Sequence, residues 1–265
     1  MLPDWLRGLA ASGRDALRLF FPERCVVCGR RLTGTERCLC LPCFQSLPFT
    51  RLHGEQGNVV ERLFWGKIPI ERANAYLHYY AGTDSRNLFW SLKYYNRPQV
   101  GRYMGRAMAA DLLDSDFFDG VDFLLPLPLS RRRQRRRGYN QSEELARGVS
   151  AVTGLPVDTT SVVRTVDNPT QTRLNARERQ ANVQGIFSLQ HPEALAGHHV
   201  LLIDDIVTTG ASLLSCGRVV ASAGAVRISV LALALAGTHP HFPMGPRMPS
   251  RFPDGPEEPP VFLVG

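Results

Sequence analysis

Between residues 73 and 236 short aliphatic runs alternate with stretches in which apolar residues return every three or four positions. "ANAYLHYY" (73–80), "VDFLLPLPL" (121–129), "TSVVRT" (160–165), "GIFSL" (185–189), "HVLLIDD" (199–205) and "AVRISVLALALA" (225–236) have the length and composition of strands. Between them "TDSRNLFWSLKYYN" (83–96) and "PQVGRYMGRAMAADLL" (98–113) read as two helices divided before Pro98. "NQSEELARGVSAVTG" (140–154) reads as a third, with Asn140 as N-cap, Glu143 as its capping-box partner and Gly154 as the stop. "ASLLSCGRVVASAG" (211–224) is a fourth, closed by Gly224. Strands alternating with helices predict an α/β fold, with a mostly parallel sheet covered on both faces. "VDNPTQTRLNARERQANVQ" (166–184) is polar and without clean periodicity, which predicts a long loop.

The ends of the chain differ from this middle. Residues 1–19 carry Trp5, Leu6, Leu9 and Leu17 at helical spacing and are broken by Asp4, Arg7, Arg14, Asp15 and Arg18. They predict a short amphipathic helix rather than a membrane span or a signal peptide. Residues 238–265 hold eight of the 19 prolines and are expected to be an extended or disordered tail. A domain over 70–237 and a small unit over 20–55 remain between them. The net charge is +7, but "RRRQRRR" at 131–137 supplies six arginines, so the basicity is local.

The small unit is too short to bury a core without a staple, and its cysteines offer one. Cys25-x-x-Cys28 and Cys40-x-x-Cys43 place two thiol pairs on two tight turns that can meet around one tetrahedral Zn²⁺. Gly29 suits the first turn, and Cys38 is a spare. The competing interpretation is a redox dithiol pair. With no membrane span or leader expected, reduced cysteines fit a cytoplasmic protein.

The strand at 199–205 ends in two carboxylates, Asp204 and Asp205, which are costly to bury in a merely structural strand. Thr208, Thr209, Gly210, Ala211 and Ser212 then lead into a helix. A phosphate there would meet free backbone amides and a positive helix end, and Gly210 would let the backbone approach closely. The carboxylates suit the sugar hydroxyls beside such a phosphate, or a magnesium ion bound with them. The alternative is that both carboxylates only cap a turn.

"VLLIDDIVTTGAS" resembles the phosphoribosyl-pyrophosphate (PRPP) binding signature of type I phosphoribosyltransferases. The wider chain, through its paired cysteines, "LKYYNR" (92–97), "RQRRRGYNQS" (133–142) and "RTVDNPTQTRLNARERQANVQGIF" (164–187), resembles the ComF family of competence-associated proteins. The resemblance spans about residues 20–236 and implies a type I phosphoribosyltransferase-like sheet behind a small zinc ribbon. It implies that Asp204 and Asp205 hold the ribose hydroxyls and that Thr208 to Ser212 hold the 5′-phosphate. Ser130, Arg131 and Arg137 would lie near a pyrophosphate carried with Mg²⁺. Gln171, Arg173, Arg179 and Asn182 would belong to a loop that closes over the substrate. The implied reaction moves ribosyl 5-phosphate from PRPP to a nitrogen acceptor, by positioning and electrostatics rather than through a nucleophilic side chain.

The arginine run leaves three uses open: contact with a nucleic-acid backbone through Arg132, Arg133 and Arg135 with Tyr139 stacking on a base, service to the pyrophosphate, or a solvated basic loop. The first gives a second functional class, a single-stranded DNA-binding factor in DNA uptake or processing that keeps the sugar-phosphate fold and meets a protein partner of the competence machinery. Lys93 and Tyr94 match the family on the first long helix and lean toward the site. Cys216 reads as a small buried residue.

Overall fold

The structure, a computed structural model, describes residues 23–237 apart from 53–54, 81–82, 84, 166–184 and 225. The amphipathic helix expected at 1–19, the tail at 238–265 and the positions Gln171, Arg173, Arg179 and Asn182 lie outside the described residues. In chain order the helices are α1 (Leu41–Gln45), α2 (Val59–Arg62), α3 (Arg86–Tyr94), α4 (Pro98–Leu112), α5 (Arg131–Arg137), α6 (Gln141–Thr153) and α7 (Ala211–Ala221). The strands are β1 (Ile70–Tyr79), β2 (Phe123–Pro126), β3 (Val162–Arg164), β4 (Phe187–Leu189), β5 (His199–Val207) and β6 (Arg227–Ala236). Among the described residues no helix is long and apolar enough to cross a membrane.

The central sheet runs β1-β6-β5-β2 and every neighbouring pair is parallel. β5 and β6 lie in the middle, which is why their sequences are nearly continuous in aliphatic residues instead of alternating. Leu201, Ile203, Leu231 and Leu233 face a core shared with Met104 and Met108 of α4 and with Leu145 and Val149 of α6. Val200, Leu202, Val230 and Ala232 face a second core shared with Leu213, Cys216 and Val220 of α7. Helices therefore cover both faces, as the pattern predicts. β3 and β4 form a separate antiparallel pair.

α4 and α6 cross in backbone contact. A Cβ on Gly105 would lie 2.1 Å from the Leu145 carbonyl oxygen, and one on Gly148 would lie 2.3 Å from that of Arg102. No side chain fits at either position without separating the helices, so this glycine contact fixes how deeply α6 sits. The first turn of α6 is thereby brought to the carboxyl end of β5.

The order of the strands makes a crevice there. After β2 and α6 the chain returns at Pro156–Asp158, hydrogen-bonded in parallel along the outer side of β2 through Leu124. After β5 and α7 it returns as β6, on the opposite side. Successive crossovers that leave β2 and β5 in opposite directions create the switch point at which open α/β sheets bind ligands.

Two local expectations change. The acidic pair does not end β5: the strand continues to Val207, with Ile206 and Val207 paired to Ala234 and Leu235 of β6. On the other side pairing with β2 stops at Ile203, opposite Pro126. Asp204 and Asp205 thus stand where one neighbour has run out and the other continues. The arginine run, read as a loop, is helix α5. Ser130 caps it by accepting the Arg133 N–H, and Gly138, at φ +81, stops it. Arginine is a good helix former, and seven polar residues have no apolar stripe by which periodicity would reveal them.

The cysteine-rich unit is seated on the main core. Val26, Val27, Leu39 and Leu47 join the same apolar cluster as Tyr76, Leu77, Leu88 and Phe89. The chain leaving it pairs antiparallel with β1 at Phe49 and Leu77, flanked by hydrogen bonds from Thr50 N to Tyr76 O and from His78 N to Pro48 O.

Candidate functional site

Asp204 is 9% exposed and receives two hydrogen bonds on one oxygen, Oδ1: one from Ser142 Oγ at 3.0 Å and one from the Asp205 N–H at 2.8 Å. Burial, and after it the neighbouring Asp205 charge, push its carboxyl up to about 8. Asp205 is more open. Its Oδ1 accepts from Ile206 N at 2.8 Å, and its Oδ2 lies 3.8 Å from Lys93 Nζ. The pair is opposed by Lys93 from α3 and, at longer range, by Arg137 from α5. Burial lowers the Arg137 guanidinium, and the Asp205 carboxylate is the first influence opposing that shift.

The loop that follows leads into an uncapped helix start. Gly210 has φ +73, and a Cβ there would meet the Phe64 ring at 3.2 Å, so the loop is pinned down on the segment after α2. Thr208, Thr209, Ala211 and Ser212 remain exposed. α7 begins at Ala211 with no side chain capping it, which leaves its first N–H groups directed outward at the positive end of an 11-residue helix.

The segment from Ser130 to Ser142 forms the opposite wall. Ser130 is buried and its hydroxyl is engaged by the Arg133 N–H. Arg131, Arg132 and Arg135 are exposed and Arg133 is half-buried. The Tyr139 hydroxyl donates to the Leu92 carbonyl at 2.6 Å, which ties down the end of α3 beside Lys93. The ring itself is half-buried. Asn140 caps α6 by accepting from Ser142 N, whereas Glu143 pairs with Arg147 and makes no capping box. Arg137 Nε and Gln141 Nε2 are buried donors without a protein acceptor.

Far from this crevice in sequence, the sulfurs of Cys25, Cys28, Cys40 and Cys43 lie within 4.8 Å of one another. Cys28 Sγ and Cys40 Sγ are 3.7 Å apart, against about 3.8 Å for two thiolates on one tetrahedral zinc with bonds of about 2.3 Å. Gly29, at φ +72, closes the first turn with its N–H on the Cys25 carbonyl. All the described cysteines are free thiols, so the quartet can hold a metal ion. Cys38 stands apart at φ +57, with its sulfur beside the Gln99 carbonyl and its thiol pushed up to about 11, chiefly by burial.

Residues 124–244 match the phosphoribosyl transferase domain family. The "DNA utilization protein YhgH" of Escherichia coli K12 is 30% identical over 79% of this chain and 88% of its own length. The "Competence protein F" of Haemophilus influenzae is 28% identical over 82% of this chain and 99% of its own. The chain belongs to the ComF family. A solved glutamine PRPP amidotransferase from Bacillus subtilis aligns at 19% identity over 58% of this chain and 32% of its own, with a TM-score of 0.40.

Within this ComF-family fold the domain match begins in β2 and takes in both walls of the crevice. Asp204, Asp205, Thr208, Thr209, Gly210, Ala211 and Ser212 follow one another from the carboxyl end of β5 into the start of α7, and Arg137 lies within electrostatic reach of Asp205. The structure leaves Arg132 and Arg135 on the outer surface of α5. Lys93 joins the site through Asp205. Ser142 was not singled out from sequence and Asn140 only as a helix cap; no local pattern announces the contact of Ser142 with Asp204 across 62 positions.

The raised Asp204 carboxyl makes stability depend on pH. The folded protein holds this proton more tightly than an unfolded chain, whose carboxyl ionises near 3.8. The stabilisation is complete below that value and is lost as pH rises through about 8. Ligand-free Asp204→Asn is expected to melt about 5 °C or more above wild type at pH 9, with the gap narrowing toward pH 5. Thermal melts at the two pH values check this; a gap that does not change would show that Asp204 does not titrate between them.

Proposed function

We propose that the protein binds PRPP in this crevice and transfers its ribosyl 5-phosphate to a nitrogen acceptor. The observation that carries the proposal is the acidic pair at the sheet's switch point, followed directly by an uncapped helix end. Asp204 and Asp205 take the ribose hydroxyls, and Thr208 to Ser212 take the 5′-phosphate. Arg137 and Lys93 offset the acidic pair so that a polyanion can approach, with Ser130 and Arg131 on the pyrophosphate side. Mg²⁺ arriving with PRPP would neutralise the pyrophosphate. In the transfer the bond from the sugar carbon to pyrophosphate breaks, pyrophosphate leaves with the electron pair, and the acceptor nitrogen forms the new bond. The surrounding side chains orient and stabilise charge.

Calorimetric titration with Mg-PRPP should give saturable binding that weakens by about tenfold or more in Asp204→Asn and in Asp205→Asn. Equal affinity in the three proteins would remove the assignment. Pyrophosphate release that requires an added amine or base would separate turnover from binding alone.

The cysteine quartet is assigned a structural Zn²⁺, supported by the sulfur spacing and by its four-thiol, solvent-shielded composition. Elemental analysis of purified protein should find about one zinc per chain, and Cys25→Ser should lower both zinc content and melting temperature. Metal-free protein with an unchanged melt would reject the assignment. Four reduced thiols also fit a cytoplasmic location.

A second reading is favoured by α5, whose exposed arginines form a basic strip on the rim of the crevice, and by relatives named for DNA utilization and competence. In it the protein binds single-stranded DNA, with Arg132, Arg133 and Arg135 on the phosphates. Binding should then fall steeply between 50 and 200 mM salt and disappear when the three arginines are changed to Ala. Salt-insensitive binding, or binding retained by the triple variant, would take α5 out of the interface.

A further inference from the structure

The acidic pair is tied to the opposite wall of the crevice by hydrogen bonds that close on themselves. The Leu127 N–H donates to the Ile203 carbonyl at 2.8 Å, anchoring the chain just beyond β2 to β5. Asn140 Nδ2 donates to the Leu127 carbonyl at 3.1 Å. Asn140 Oδ1 accepts the Ser142 N–H at 3.1 Å, and Ser142 Oγ donates to Asp204 Oδ1 at 3.0 Å. Asp204 is covalently the next residue after Ile203, so the ring is complete. Leu127, Asn140, Ser142 and Asp204 are all buried. Water therefore competes little for these bonds.

Resting on the reading that the acidic pair receives the sugar hydroxyls, we propose that Asn140 and Ser142 are positioning residues. They clamp Asp204 by one carboxyl oxygen, present the other to the ligand, and hold the segment carrying Arg137 at a fixed distance from the pair.

The way Oδ1 is used supports this. It accepts both the Ser142 hydroxyl and the Asp205 N–H, and this double anchoring fixes the carboxyl plane. Oδ2, which takes neither of these bonds, is the oxygen left for a sugar hydroxyl. α6 has no need of the Ser142 hydroxyl, because its cap is already made by Asn140. The same short segment reaches the pair by other routes: Arg137 lies within electrostatic reach of Asp205, and Tyr139 ties down the end of α3, which brings Lys93 to Asp205.

The test is Ser142→Ala in the full chain, with Ser142→Thr as the rescuing variant and Asn140→Ser as a second break in the ring. Serine keeps a good helix cap but is too short to reach the Leu127 carbonyl. Mg-PRPP affinity is measured from pH 6 to pH 9, alongside melting curves. The charged and titratable groups around Asp204 are Asp205 on its own strand, Lys93 on α3 and Cys216 on α7; none is altered by these substitutions. Ser142→Ala is expected to bind about tenfold more weakly, and the pH midpoint that tracks Asp204 should move up by about one unit, since a donor to the ionised form is gone. Ser142→Thr should restore both. Asn140→Ser should lose affinity without a matching loss of melting temperature.

Unchanged affinity and midpoint in Ser142→Ala overturn the proposal. So does a loss in Asn140→Ser that is wholly matched by destabilisation. If wild type itself does not bind PRPP, the reading beneath fails on its own. The clamp is then judged without ligand, from the Asp204 carboxyl titration by carbon NMR. A midpoint identical in wild type and Ser142→Ala sinks it, and an upward shift in the variant sustains it.

Discussion

A carboxyl group can be kept under the surface of a parallel sheet only if donors are brought to it, and the donors of Asp204 come from two places. One is its own backbone, through the Asp205 N–H. The other is the first turn of α6, which must therefore end where it does and lie as deep as it does. That depth is set by Gly105 and Gly148, where α4 and α6 touch backbone to backbone. Widening the crossing would draw Ser142 away from Asp204 and leave a buried carboxyl half satisfied. The apolar packing of two helices and the chemistry of the crevice are thus one constraint.

The rest of the site follows from the same placement. Once α6 is fixed, the residues just before it must run over the open end of β5, and this brings Arg137 within electrostatic reach of Asp205. Tyr139, in the same stretch, anchors the end of α3 and with it Lys93. The two acids are thereby set against two cations.

Much of this was legible in the chain because it rests on local pattern. The aliphatic runs of β5 and β6, the cysteine spacing, Gly154 as the stop of α6, and the acid pair followed by Thr-Thr-Gly can all be read within a few residues. What escaped depended on tertiary neighbours. α5 has no apolar face, so periodicity is silent about it. The extension of β5 through Val207 is imposed by pairing with β6, and residues 206–210 look locally like a turn. The Ser142 contact and the antiparallel seating of Phe49 on β1 join positions far apart, so neither leaves a trace in any short window. The cysteine unit looked too small to stand without a staple, but it borrows a core as well, through Val26, Val27, Leu39 and Leu47.

That seating has a consequence for how the molecule behaves among its own copies. β1 is an outer strand of the sheet, and an outer strand offers unpaired backbone groups to any other chain. Here those groups are partly occupied by Pro48 to Thr50, the stretch that leaves the cysteine unit. Whatever keeps the four sulfurs together also keeps this cover in register. Loosening them would uncover the flank of the sheet, so the cysteine unit acts as a guard against strand-to-strand self-association as well as a support for the fold.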